Sequence, residues 1–170
     1  MTFFRIKKIE GKEYAYIVEN EWSRKGSRQK VKGYLGRVYR PNPVKDINFS
    51  EYANVENIQS YIDNNEKIKI INDLVEWELF KFDVDKEMFK INLHNRTIRK
   101  NDKNIALWIN DGFMCNLTLK NLLDFKPGGD EETDGYRLAR AFVEAGIKVP
   151  QEVFIGLFGK LYINKKQEPI

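Results

Sequence analysis

Two prolines, Pro41 and Pro43, divide this chain into two kinds of pattern. Before them, strand-forming side chains alternate with period two. After them, apolar residues recur every three or four positions. Proline has a fixed φ and no backbone N–H, so neither a sheet ladder nor a helix runs through such a pair. Residues 40–45 are therefore expected to be a linker between segments 1–40 and 46–170. The chain has 170 residues, 42% of them hydrophobic, enough to bury a core without disulfides or metals. The expected class is α+β: a small N-terminal antiparallel β module, then a mixed domain with a small antiparallel sheet and a C-terminal helical hairpin.

In the first segment, residues 2–10 mix β-branched, aromatic and basic side chains. Gly11 and Lys12 supply a turn, and residues 13–20 set Tyr14, Tyr16 and Val18 on one face. This is a β-hairpin pattern. Residues 21–29 are polar and contain Gly26, as in a loop or wide hairpin tip. Residues 30–39 form a third strand in which Gly33 and Gly36 mark a bulge or a sharp exit. A three-stranded sheet needs an apolar face, so Tyr14, Tyr16 and Tyr34 are expected to be the module's own core.

In the second segment, Asn54 is placed to cap a helix carrying Val55, Ile58 and Ile62. Ile68, Ile71, Leu74, Val75, Trp77, Leu79 and Phe82 follow at helical spacing, with Glu66, Asp73, Glu76 and Glu78 on the remaining face. These are the acidic helices of 54–82. A small sheet over 88–117 turns at Asn110-Asp111-Gly112, with Asp-Gly as the turn pair. Helices fill 118–164. Asn116 or Thr118 caps the first. Asp130 or Thr133 starts the next, with Leu138, Ala139, Phe142 and Val143 facing inward. Gly146 ends it, and Pro150 opens the last.

Charge is segregated along the chain. Residues 1–45 carry 12 Lys/Arg against 4 Asp/Glu, residues 46–85 carry 3 against 10, and residues 86–103 carry 6 against 2. A basic segment beside an acidic one points to a polyanion held by the first. The candidate nucleic-acid-binding residues are Lys7, Lys8, Lys12, Trp22, Arg24, Lys25, Arg28, Lys30, Lys32, Arg37 and Arg40. Arg96, Arg99 and Lys100 form a second cluster near His94. The tip, 22–29, is the expected contact loop. A phosphate-holding surface requires Arg24, Lys25, Arg28, Arg37 and Arg40 to share a face.

Single Cys115 and single His94 exclude an intrachain disulfide, a Cys-rich zinc site and any site needing two imidazoles. No apolar run reaches the roughly 18 residues of a membrane span, and the charged start lacks a leader's apolar core. A reducing cytoplasm is the expected compartment. No catalytic constellation, metal site or cofactor motif is expected. Asp130, Glu131, Glu132 and Asp134 suit a helix start better than a Mg²⁺ site. Three readings are thus open: a non-enzymatic nucleic-acid-binding protein, a protein-interaction or dimerisation module acting through 46–85 or 150–164, and a metal-dependent nuclease.

Residues 3–40 also carry a resemblance. FFRIKKIEGKEYAYIVEN, then Arg28-Gln29-Lys30-Val31-Lys32, then GYLGRVY resembles the N-terminal segment of insertion-sequence DDE transposases. The matching positions are Lys8, Gly11, Lys12, Tyr14, Tyr16, Arg28, Gln29, Tyr34, Leu35 and Gly36. The resemblance implies a β-rich module that engages DNA, and it is what favours DNA over RNA. It stops before Pro41, and the 130 residues that follow do not read as the ribonuclease-H-like catalytic domain of that family. Gly128-Gly129-Asp130-Glu131 is similar to the signature of cyclic-dinucleotide synthases, but Glu132 follows where that family has Phe, and the run feeds a helix.

Overall fold

The computed structural model describes residues 2–24 and 26–167. Strands β1 (Thr2–Ile9), β2 (Lys12–Ser23) and β3 (Gly26–Tyr39) form an antiparallel meander. Helices α1 (Phe49–Ala53), α2 (Ile58–Asn64) and α3 (Lys67–Lys81) follow. Then come β4 (Lys90–Asn92), β5 (Thr97–Lys100), β6 (Lys103–Ile109), β7 (Gly112–Met114), α4 (Asn116–Leu123), α5 (Glu131–Glu144) and α6 (Gln151–Gln167). The fold is α+β, as the periodicities predict.

The strands make one seven-stranded sheet in the order β1-β2-β3-β6-β5-β4, with β7 also on β6. All pairings are antiparallel except β3 with β6, where Arg37, Val38 and Tyr39 lie beside Ile105, Ala106 and Leu107. The segment before the prolines and the segment after them therefore share a sheet. Gly36 makes this approach feasible. Its φ is +129°, and a Cβ there would lie 2.4 Å from the Asn104 carbonyl oxygen.

Alternation along the paired strands defines two faces. On one, Ile98, Ile105, Leu107 and Ile109 pack under the helices in a core with Ile70, Leu74, Leu122, Phe142 and Leu157. On the other, Phe4, Ile6, Ala15, Val38, Ala106, Trp108 and Phe113 form a smaller core. The Phe4 and Phe113 rings meet at 5.4 Å although β1 and β7 are four strands apart in the sheet. A flat sheet would hold them about 19 Å apart, so the sheet curls around this second core. Two extra residues in β3, at Lys32 and Leu35, interrupt the register and add to the curl.

Local chemistry departs from the sequence pattern at several points. The tip of the β2–β3 ribbon is not a wide loop, because Ser23 pairs with Gly26. Asn54 ends α1 in a left-handed conformation, φ +53°, instead of starting a helix. Asn48 and Asn57 are the N-caps of α1 and α2. The β6–β7 turn centres on Asn110 and Asp111, at φ +48° and +65°, one residue earlier than an Asp-Gly pair. Gly112 is needed for packing instead, since a Cβ there would meet the Val143 carbonyl oxygen at 2.3 Å. Cys115, not Asn116 or Thr118, is the N-cap of α4. The Thr118 hydroxyl accepts from the Cys115 N–H, and the Asn116 side chain accepts from the Ile98 N–H.

Glu78, expected at the surface, is fully buried in α3. Its carboxylate accepts from the Lys148 N–H at 2.9 Å and the Asn110 amide at 2.8 Å, and pairs with Lys81 at 3.0 Å. A buried charge persists only with such partners, and these tie α3 to the β6–β7 turn and the α5–α6 connection. α5 and α6 run antiparallel, with Phe142 against Phe154 and Phe158 under Gly135. Leu138 and Phe142 face inward, whereas Val143 is exposed. Among the described residues no helix is long and apolar enough to cross a membrane.

Candidate nucleic-acid interface

The ladder register sorts the N-terminal ribbon's side chains into two chemically different faces. Directly paired residues project to the same side. Arg5 lies beside Tyr16, Lys7 beside Tyr14, and Ile9 beside Lys12. Across β2, Tyr14 lies beside Arg37, Tyr16 beside Tyr34, Val18 beside Val31, Asn20 beside Gln29, and Trp22 beside Ser27. This tyrosine face carries Arg5, Lys7, Lys12 and Arg37 and not one strand carboxylate.

The opposite, glutamate face pairs Lys8 with Glu13, Glu19 with Lys30 and Glu21 with Arg28. Three of its cations are engaged within the ribbon. Lys30 bridges to Glu21 at 3.0 Å, Lys32 to Glu19 at 2.8 Å, and Arg40 to Glu13 at 2.6 Å while also covering the Trp108 ring. The Arg40 hydrogen bond holds the Glu13 carboxyl below the usual range, and Lys32 does the same to Glu19. Exposed pairs like these contribute little stability, but they cancel charge locally.

Arg24, Arg28, Arg37 and Arg40 do not share a face, so the set required by the sequence reading forms no phosphate-holding surface; the cations that do share a face are Arg5, Lys7, Lys12 and Arg37. Arg28 and Arg40 belong to the glutamate face, Arg37 to the tyrosine face, and Arg24 to the tip turn. Lys25 lies outside the described residues. The second cluster divides too. Lys100, beside Lys103 in the ladder, reaches over the Tyr39 ring at 4.8 Å and so extends the tyrosine face. Arg99 lies beside Asn104 on the other side and donates to its side chain at 3.3 Å. Arg96 is tied to Asp124 at 2.6 Å.

The tyrosines are not a buried core. Tyr34 is 54% exposed, with Tyr16 at 5.3 Å and Tyr14 at 6.3 Å between ring centroids. Lys7 stands over the Tyr16 ring at 5.0 Å, and Arg37 over Tyr39 at 5.0 Å. Partial burial, reinforced by Tyr16 and Tyr14, pushes the Tyr34 phenol up. Trp22 is 85% exposed at the far end of the same face, and Ile9 and Val31 are also exposed there. Val18 is buried on this face, and Ala15, Leu35 and Val38 anchor the ribbon on the curled side.

Arg5 is a residue the sequence reading passes over. It lies on the tyrosine face and donates to the Gln29 side chain. Its signal was alternation with Lys7 along β1, visible once β1 is read as an edge strand with one solvent face.

The other chemistry-bearing residues are structural. Asp130 caps α5 by accepting from the Thr133 N–H at 2.8 Å. Gly128 and Gly129 donate their N–H groups to Asp134, at 2.6 and 2.9 Å. Cys115 is buried, which pushes its thiol up. Among the described residues no group of three or more His, Cys, Asp or Glu is placed to hold a metal ion. A scan of protein-family models finds no match to the chain, and comparisons with curated proteins and with solved structures find none either.

Proposed function

We propose that this protein binds nucleic acid, DNA in preference to RNA, by gripping phosphates with the tyrosine face of its basic N-terminal strands. One observation carries the reading. β2 supplies three glutamates, Glu13, Glu19 and Glu21, and register puts all three on the face opposite Arg5, Lys7, Lys12 and Arg37. A polyanion meets cations with no strand carboxylate among them on one side only. The preference for DNA rests on the transposase-like pattern of residues 3–40. The lone buried thiol of Cys115 suits a reducing, cytoplasmic setting.

The alternative, a protein-interaction surface on 46–85 or 150–164, has weaker support. Part of the acidic charge of 46–85 is spent within the chain, Asp73 on Lys69 and Tyr61, Glu76 on Lys86, Glu78 on Lys81, and Asp83 on Lys45. Fluorescence anisotropy of a labelled mixed-sequence oligonucleotide, titrated at several salt concentrations, tests the proposal. Five cations, with Lys100 as the fifth, predict binding at about 50 mM salt and a log–log salt slope of about −3.5 to −4.5. Absence of binding at that salt contradicts it.

A further inference from the structure

We infer that the tyrosine face takes unpaired DNA in preference to duplex; this rests on the nucleic-acid reading above and specifies its ligand. The aromatic groups carry the inference. Tyr34 is held by Tyr16 and Tyr14 on its inner sides and leaves much of its ring surface to solvent. A ring fixed by its neighbours loses little freedom when a base stacks on it. Trp22 stands six residues from Tyr16 along β2, about 20 Å away at strand rise. That interval accommodates several nucleotides of an extended strand.

Between these aromatic ends lie Asn20 and Gln29, directly paired; the Asn20 amide, and the Gln29 amide N–H groups left when its oxygen accepts from Arg5, can meet base edges. Lys7, Arg5 and Arg37 flank the tyrosines, where a sugar-phosphate chain would run beside stacked bases. The combination of cations with exposed rings is the chemistry that single strands require. A duplex buries the flat faces of its bases and offers only groove edges and phosphates, so it has no use for Tyr34. A two-stranded ribbon can enter a major groove, but at this tip the face presents the indole of Trp22 opposite the short Ser27, with Arg28 turned to the other side. Partner proteins of opposite charge would use the cations and not need the flat rings in the open.

The full chain is titrated with a labelled 15-mer single strand of DNA, its RNA counterpart and the blunt DNA duplex, all at about 50 mM salt. The DNA single strand binds at least about tenfold tighter than duplex, and tighter than the RNA. Tyr34→Ala and Trp22→Ala each weaken single-strand binding about fivefold or more while leaving duplex affinity within about twofold. Both side chains are exposed, and unchanged thermal unfolding of the variants confirms that the fold is retained. Binding of a single strand is expected to quench the wild-type chain's indole fluorescence, and Trp22→Ala to remove that quenching. Duplex bound as tightly as single strand, or single-strand affinity unmoved in both variants, overturns the inference and leaves the nucleic-acid reading standing. Failure of every oligonucleotide to bind overturns both, and Trp22-dependent self-association in that case would reassign the face to a second copy of the chain.

Discussion

Asp134 sits inside the loop it organises. Only 2% of it is exposed, and it accepts from the Gly128 and Gly129 N–H groups, the Tyr162 hydroxyl at 2.7 Å and Arg137 at 2.7 Å. The Gly129 N–H and the Tyr162 hydroxyl are the leading causes that bring its carboxyl down to about 2. Desolvation, with Asp134 beside it, pushes the Tyr162 phenol up to about 12. A carboxylate depressed in the folded state stabilises it above the unfolded value near 3.9 and loses that contribution as pH falls through the folded value. Asp134→Asn should therefore lower the urea midpoint at pH 7, with roughly half of the difference gone by pH 3. An equal difference at both pH values would mean that charge plays no part. The same residue explains why a Gly-Gly-Asp-Glu run here is a helix entry: its backbone donors are already spent.

At the scale of elements, Gly36 fixes how the ribbon joins the rest of the sheet. A Cβ at φ +129° would sit within 2.7 Å of three Asn104 and Ile105 backbone atoms. Gly36→Ala is expected to cost on the order of 3 kcal/mol or more by chemical denaturation. Gly33→Ala, whose nearest neighbour is the flexible Ile17 side chain at 3.3 Å, should cost much less. Comparable losses would show that the β3–β6 pairing is not what demands the glycine. Elements governed by local chemistry were legible in the sequence: a turn at Gly11, although it centres on Glu10-Gly11 and leaves Lys12 in β2, a start of α5 at Asp130, the Gly146 stop, and the stripe of α3 except at Ile68, which is exposed while Ile70 is buried. The β3–β6 pairing was not, because its partners are about 68 positions apart and parallel pairing leaves no turn signal. The cations were legible, but not their faces. Lys30 and Tyr34 are four apart and would share a face in a regular strand. The extra residue at Lys32 puts them on opposite ones.

For the whole molecule, the sheet's curl gives the ribbon two distinct environments. One face closes over Phe4, Ile6, Trp108 and Phe113 near the base, with its glutamates and lysines paired further out. The other runs from the helical core at Tyr39 to the tip at Trp22, open and cationic. The central claim is that this second face, and not the ribbon's total charge, holds the nucleic acid. Two double variants remove equal charge from opposite faces, Arg5→Gln with Lys7→Gln and Lys30→Gln with Lys32→Gln. Single-strand anisotropy titrations compare them. The first pair is predicted to weaken binding at least about tenfold and to make the salt slope shallower by about 1.4, while the second stays within about twofold of wild type. Equal losses from the two pairs, or a larger loss from the second, would contradict the account.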